Sequence, residues 1–194
     1  MLRFLWLKVS ICCALSLVLC YCVDKHQAPE DTPYPIAPNT DRAAVLKQMA
    51  DEIVIPGYAN FKVKLNAMTS ASEQFIAVPD TNTLKAFRQS WLEAYLEWQK
   101  VESFDFGPAN DFATKMFFNI YPTNVTTINA NIASGTANLE VSGSFAAQGF
   151  PALDYLLNGL AGNNDAILAL YTVASDAPQR KAYLQKLTAQ MQFK

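Results

Sequence analysis

After residue 40, apolar positions recur at three- and four-residue intervals over most of the chain, a spacing that predicts amphipathic helices. The first run takes in Val45, Leu46, Met49, Ile53, Val54 and Ile55, with Thr40 or Asp41 placed as N-cap. Pro56 falls inside it, followed by Gly57. A proline within a helix loses a hydrogen bond and crowds the preceding turn, so a kink or break is predicted near Ile55. The run then resumes through Tyr58, Phe61, Leu65 and Met68 toward Phe75, and "VPDTNT" closes it. A second helix starts after Asp80 or Thr81, with Leu84, Phe87, Trp91, Tyr95, Trp98 and Phe104 largely on one face. Arg88, Glu93, Glu97 and Lys100 mark its other face, and Gly107 and Pro108 end the run.

Residues 109–122 read as an aromatic loop, and a shorter helix is predicted from about Thr123 to Ser134. The stretch "GTANLEVSGSFAAQ" reads as a polar connection. Another helix opens near Pro151, since proline suits a first helical position, and ends at "NGLAGNN". Asp165 to about Tyr171 forms a further helix, and a last one begins at Ser175 or Asp176 with Pro178 in its first turn. Its apolar positions Tyr183, Leu184, Leu187, Met191 and Phe193 are still in phase at Lys194, so the expectation is a piece of a longer protein. No run alternates with a period of two for more than a few residues. The predicted fold is all-α, an up-and-down helical bundle over residues 41–194.

The N-terminus breaks this pattern. "MLRFLWLKVSICCALSLVLCYC" carries Arg3 and Lys8 and then an uncharged apolar run from Val9 to Leu19. That run is short for a membrane span of about 20 residues and suits the core of a secretory signal, so residues 1–22 are assigned to export. All four cysteines, Cys12, Cys13, Cys20 and Cys22, lie in this segment, and the body beyond it must be held by its core without disulfides. A cysteine at the end of such a run also suggests bacterial lipoprotein processing at Cys20 or Cys22, although Leu19 and Tyr21 stand where a small residue is usual. The polar, proline-rich residues 23–40 would then form a tether between a lipid anchor and the helical domain.

Formal charge is −2, and without residues 1–22 there remain 13 basic against 17 acidic side chains. That balance argues against nucleic acid as a partner, because phosphate binding needs clustered Lys and Arg. Histidine occurs once, at His26 in the tether. Hydrolases built on a Ser/His/Asp or Cys/His set, and peptidases of the HExxH type, therefore cannot be assembled from residues 41–194. Zinc held by imidazole or thiolate is excluded there too. Carboxylates and carbonyls remain, and these suit hard cations such as ferric iron, calcium or magnesium. The candidate carboxylates are Glu93, Glu97, Glu102, Asp105 and Asp154. Most such residues are simply a solvated helix face, and Trp91, Tyr95 and Trp98 read as core rather than as a cofactor box.

Three stretches together resemble the imelysin family of exported bacterial all-α proteins. "IVIPGYANFKVKLNAM" is similar to the family's first long helix, and "FRQSWLEAYLEWQKVESFDFGP" to its second. "GFPALDYLLNG" resembles a segment that in the family reads Gly-Phe-His-x-x-Glu-(Phe/Tyr)-Leu-Leu. The resemblance runs from about residue 44 to about 160. It implies two related helical bundles, more helix than this chain holds, in a cell-envelope protein of the outer membrane or periplasm linked to iron uptake. It also implies a metallopeptidase activity described for some members. The motif's histidine falls on Pro151 and its glutamate on Asp154, while Glu102 matches the acidic residue of the second helix and Gln99 stands where a glutamate is frequent.

The resulting expectation is a lipid-anchored binding component of iron uptake. It would hold iron or another hard cation through Glu102 and Asp154 or within a helical pocket, with iron-uptake components as partners. Enzymatic activity is the weaker expectation, since the motif lacks its imidazole. A degenerate helical scaffold without metal is the third.

Overall fold

A computed structural model describes residues 41–194. The signal and lipidation assignments at residues 1–22 and the tether at residues 23–40 lie outside them. Leu46–Lys194 fold as one compact unit, ahead of which only Asp41–Val45 are described.

The unit is built from three long helices. The first, α2 (Ile55–Ala77), is preceded by a short helix α1 (Arg42–Met49) and a π-helical turn at Ala50–Val54. Here the expected kink or break takes a specific form. Proline cannot donate to the carbonyl four residues back and clashes with it, and widening the preceding turn to a π-helix relieves both conflicts without ending the helix. Pro56 accordingly stands in the first turn of α2. The apolar stripe of this entry segment is not core, since Leu46, Met49, Ile53 and Ile55 are all exposed.

From Phe61 onward α2 buries one face, through Phe61, Leu65, Met68, Ser72 and Phe75. A three-residue connection leads to α3 (Thr81–Val101), whose start is fixed by a capping box. Asp80 accepts from the backbone N–H groups of Asn82 and Thr83, both at 2.8 Å, and the Thr83 hydroxyl accepts from the Asp80 N–H at 3.1 Å. These bonds to the ionised carboxylate, that to Thr83 foremost, hold the Asp80 pKa below its ordinary value. Helix α3 buries Leu84, Phe87, Ala94, Trp98 and Val101. It stops at Val101, so Phe104 lies beyond the helix and not on its face as expected.

Residues 109–122, expected as loop, contain two single-turn helices, α4 (Pro108–Asp111) and α5 (Thr114–Phe118). They are too short for periodicity to register, yet α5 buries Thr114, Phe117 and Phe118. Helix α6 (Val125–Ser134) starts two residues later than predicted because Asn124 is its cap, accepting from the Thr127 N–H at 3.0 Å. The connection after it is not a free polar loop. Ala137, Leu139, Ser144, Ala147 and Gln148 are buried, a 3₁₀ turn spans Ser142–Ala147, and Gln148 Nε2 donates to the Leu139 carbonyl at 3.0 Å.

The motif stretch forms α7 (Gly149–Asp154), beginning two residues before Pro151, and runs into a second π-helical turn at Tyr155–Gly159. Helix α8 (Asn164–Thr172) is capped by Asn163, and α9 (Ala177–Phe193) packs along α2. Asp176 precedes α9 without capping it, because its carboxylate instead takes a 2.6 Å bond from Arg180 Nη2. The described residues contain no strand, in keeping with an all-α bundle.

Two aromatic groups organise the core. Phe61, Trp98, Phe118 and Phe150 converge from α2, α3, α5 and α7, with Trp98 stacked on Phe118 at 4.9 Å and Phe61 tilted against Trp98 at 5.5 Å. Phe75, Phe87 and Tyr171 form the other, with Phe75 and Tyr171 edge to face at 4.9 Å. Gly149 makes the first group possible. Its φ is +73°, and a Cβ there would stand 2.3 Å from the Phe118 carbonyl oxygen. Both the left-handed backbone and the contact exclude a side chain. Gly149→Ala is therefore expected to destabilise the protein by about 2–4 kcal/mol, read as a lower urea midpoint at unchanged slope.

Candidate functional site

Helix α7 is held against α3 by a run of contacts that fixes its direction. Trp91 Nε1 donates to the Phe150 carbonyl at 3.1 Å, and the Tyr95 ring lies 5.2 Å from that of Phe150. Further back along α3, Arg88 donates to the Leu157 carbonyl from Nε at 3.0 Å and Nη2 at 2.6 Å, and from Nη1 to Asn164 at 2.8 Å. As α3 advances from residue 88 to 95, its partner recedes from 157 to 150, so the two segments run antiparallel.

The end of this helical segment explains why an arginine is needed there. It stops at Gly159, and the last carbonyls of a helix have no partner within it. Those of Leu156 and Leu157 take their bonds from the Tyr171 hydroxyl at 2.9 Å and from Arg88. Burial of Tyr171 pushes its hydroxyl pKa far up, despite the opposing charge of Arg180, so it stays protonated and donating at any pH the fold meets.

Asp154, the last residue of α7, is half-buried and accepts from Asn158 Nδ2 at 2.8 Å. Glu102, the residue after α3, is half-buried and accepts from Asn119 Nδ2 at 3.4 Å. The structure does not bring these two together. Glu102 lies 11 residues beyond Trp91, roughly 16 Å along the helix at about 1.5 Å per residue, while Asp154 lies on the opposite side of the Trp91 and Phe150 contact, toward Arg88. Metal–oxygen bonds of about 2.0–2.6 Å cannot span that gap.

Of the remaining candidates, Glu93 and Glu97 are occupied locally. Glu93 binds Lys64 at 2.9 Å and Gln89 at 3.0 Å, and the Lys64 bond above all lowers its pKa. Glu97 pairs with Lys100 at 2.7 Å. Asp105 stands near Tyr58, whose hydroxyl pKa is raised by burial first and by that charge second. No group of three or more His, Cys, Asp and Glu fit to hold a metal exists among the described residues. Pro151 is buried in the first turn of α7 and offers no donor, so zinc does not fit the motif position.

A cavity does exist elsewhere, of about 580 Å³, between the start of α2, the α4–α5 segment and the end of α9. Its floor is Phe61, Leu65, Phe118 and Met191, and Tyr58 and Phe104 wall it. Tyr58 closes one side by donating to the Phe104 carbonyl at 3.2 Å. Sequence patterning missed this site, although the density of phenylalanine from Phe104 to Phe118 exceeds what an exposed loop would carry.

The sequence profile of the imelysin, or M75 peptidase, family matches residues 54–193. The chain belongs to the imelysin family. The match begins later than the resemblance suggested and extends beyond residue 160 to cover α8 and α9. One curated relative is iron-regulated protein A of Synechococcus elongatus, 25% identical over 112 residues, covering 58% of this chain and 30% of that protein. A crystal structure of a Parabacteroides distasonis protein described as an iron-regulated protein A precursor superimposes with a TM-score of 0.65 at 22% identity. It covers 78% of this chain and 42% of its own, and at that identity the likeness speaks for the fold alone. The chain thus spans less than half the length of either.

The separation of Glu102 from Asp154 can be measured. Effects on stability from sites more than about 7–10 Å apart add to within about 0.5 kcal/mol. The urea stabilities of Glu102→Gln, Asp154→Asn and the double variant should therefore add to that tolerance. A larger coupling energy would place the two carboxylates in one site.

Proposed function

We propose that this imelysin-family chain is a binding component of iron acquisition at the bacterial cell envelope, and that it takes its iron-bearing ligand into the aromatic cavity rather than between Glu102 and Asp154. The observation that carries this reading is the cavity itself. It falls in the size range of small-molecule sites, about 300–1,000 Å³, and no Asp or Glu lines it. Sites for bare hard cations are built largely on carboxylate side chains, and none lines these walls. An iron complex, by contrast, presents its organic surface to an aromatic wall. The association with iron rests on the name of the Synechococcus elongatus relative.

Thermal unfolding tests the proposal. A ligand bound only by the folded state raises stability by about 2.7 kcal/mol at 100 times its Kd. Ferric citrate or a ferric tris-catecholate should raise the melting temperature, and Glu102→Gln and Asp154→Asn should leave the shift intact. Loss of the shift in either variant would make that carboxylate a ligand and discard the cavity reading. No shift with either complex would discard a role in iron binding.

The envelope placement follows from the N-terminal segment. No helix among the described residues is long and apolar enough to cross a membrane. The proposed attachment is a lipid on Cys20 or Cys22, suggested by the cysteines at the end of the apolar N-terminal run, with iron-uptake components as neighbours at the membrane. Replacing Cys20 and Cys22 singly by Ser in a bacterial host should leave one variant in the membrane fraction and free the other. Membrane retention of both, with no lipid mass on the mature protein, would refute the anchor.

A further inference from the structure

The cavity that carries the proposed function has a chemistry of its own. Its interior is apolar and aromatic, and its mouth is edged by Phe106 and Phe112, which are 61% and 68% exposed. Exposed phenylalanines beside an open apolar cleft are costly in water and mark a surface that is covered in use. The volume of about 580 Å³ suits a small molecule and is too small for a packed helix.

The side chains that line the cavity carry positive charge only, with Asp105 close to the lining Tyr58 and Glu140 paired to Lys194 just outside it. Lys62 and Lys194 are its only charged lining residues. Lys194 is already engaged, its ammonium 2.9 Å from Glu140 and 4.0 Å above the Phe117 ring. Asn66 and Gln192 satisfy each other at 3.1 Å. Lys62 differs from these, because among the described residues it has no ion-pair partner. It is exposed one residue after Phe61, so its stem can lie along the apolar wall while the ammonium stays at the mouth.

We propose that this cavity binds a small aromatic anion, its ring held among Phe61, Phe104 and Phe118 and its acidic group paired with Lys62 at the mouth. The inference rests on the preceding reading for its place in iron acquisition, where the anion would be the chelating acid or the surface of its iron complex. The binding chemistry itself needs no iron. Ring-to-ring packing would orient the ligand, since aromatic pairs favour offset or edge-to-face contact at about 4.5–7 Å. A neutral molecule of the same shape would gain this packing but not the ion pair.

Iron-free probes separate the two ideas. Calorimetric titration of the purified chain with 2-naphthoate and with neutral 2-naphthalenemethanol should show tighter binding of the carboxylate. Lys62→Gln should weaken naphthoate binding about three- to fivefold, the range of a partly exposed ion pair, and leave the alcohol unchanged. Phe106→Ala and Phe112→Ala, both at exposed positions, should weaken the two probes alike. Absence of naphthoate binding at millimolar concentration, equal affinity for the alcohol, or an unchanged affinity in Lys62→Gln would each overturn the inference. If naphthoate fails while a ferric complex still raises the melting temperature, the iron role stands without this ligand class. Naphthoate binding by a chain that no ferric complex stabilises would retain the aromatic-anion site and remove its link to iron.

Discussion

The position of the Phe150 ring decides where most of this bundle can go. Gly149 lets the backbone pass directly against the carbonyls of Phe117 and Phe118, which sets Phe150 among the rings of Phe61, Trp91, Tyr95 and Phe118. Its own carbonyl is bound by the Trp91 indole. Four helices thus share one aromatic contact, and each pair contributes about 0.5–1.5 kcal/mol beyond burial. The indole N–H of Trp98 has no protein partner, and the contacts of that ring with Phe118 and Phe61 are aromatic.

With Phe150 fixed, the rest of the motif follows from backbone geometry. Asp154 sits one turn on, at the point where α7 widens into the π-turn. The end of that segment is held because Arg88 and Tyr171 bind the carbonyls of its last turn, and a buried carbonyl left without a partner would cost about 1–3 kcal/mol. The orientation of Asp154 is therefore set by a proline-bearing helix start, an arginine on α3 and a tyrosine on α8. No metal ligand is needed to account for it. Asp154 is half-buried and bonded to Asn158 on its own segment, and that contact accounts for where its carboxylate stands.

The long helices were legible because burial repeats along them. Phe61, Leu65, Met68 and Phe75 recur at helical spacing and are core, as are Leu84, Phe87 and Trp98. Periodicity misled at Leu46, Met49, Ile53 and Ile55, whose stripe is real but exposed, since spacing reports a face and not what covers it. It was silent at α4, α5 and residues 135–148, where order comes from single turns and from bonds such as Gln148 to the Leu139 carbonyl. The candidate site was legible only in part. Glu102 and Asp154 could be named as carboxylates, but their distance depends on the direction in which α7 crosses α3, which follows from Trp91 and Arg88 and leaves no periodic trace.

The chemistry open to the described residues follows from what each donor already does. Residues 41–194 hold no imidazole and no thiolate, and their carboxylates are spread over separate turns, with Glu93, Glu97, Glu102 and Asp154 each bonded to a nearby side chain. Glu102 and Asp154 stand on opposite sides of the Trp91 and Phe150 contact, and drawing that pair onto one ion would mean unwinding part of α3 or α7 and unseating Phe150. On the proposed reading, selectivity for iron would lie in the ligand that carries the ion rather than in these residues. The protein's share would then be an apolar surface with a cation at its edge, selecting by shape and charge rather than by coordination. Such a site would tolerate the exchange of histidine for Pro151, because nothing in it depends on that position.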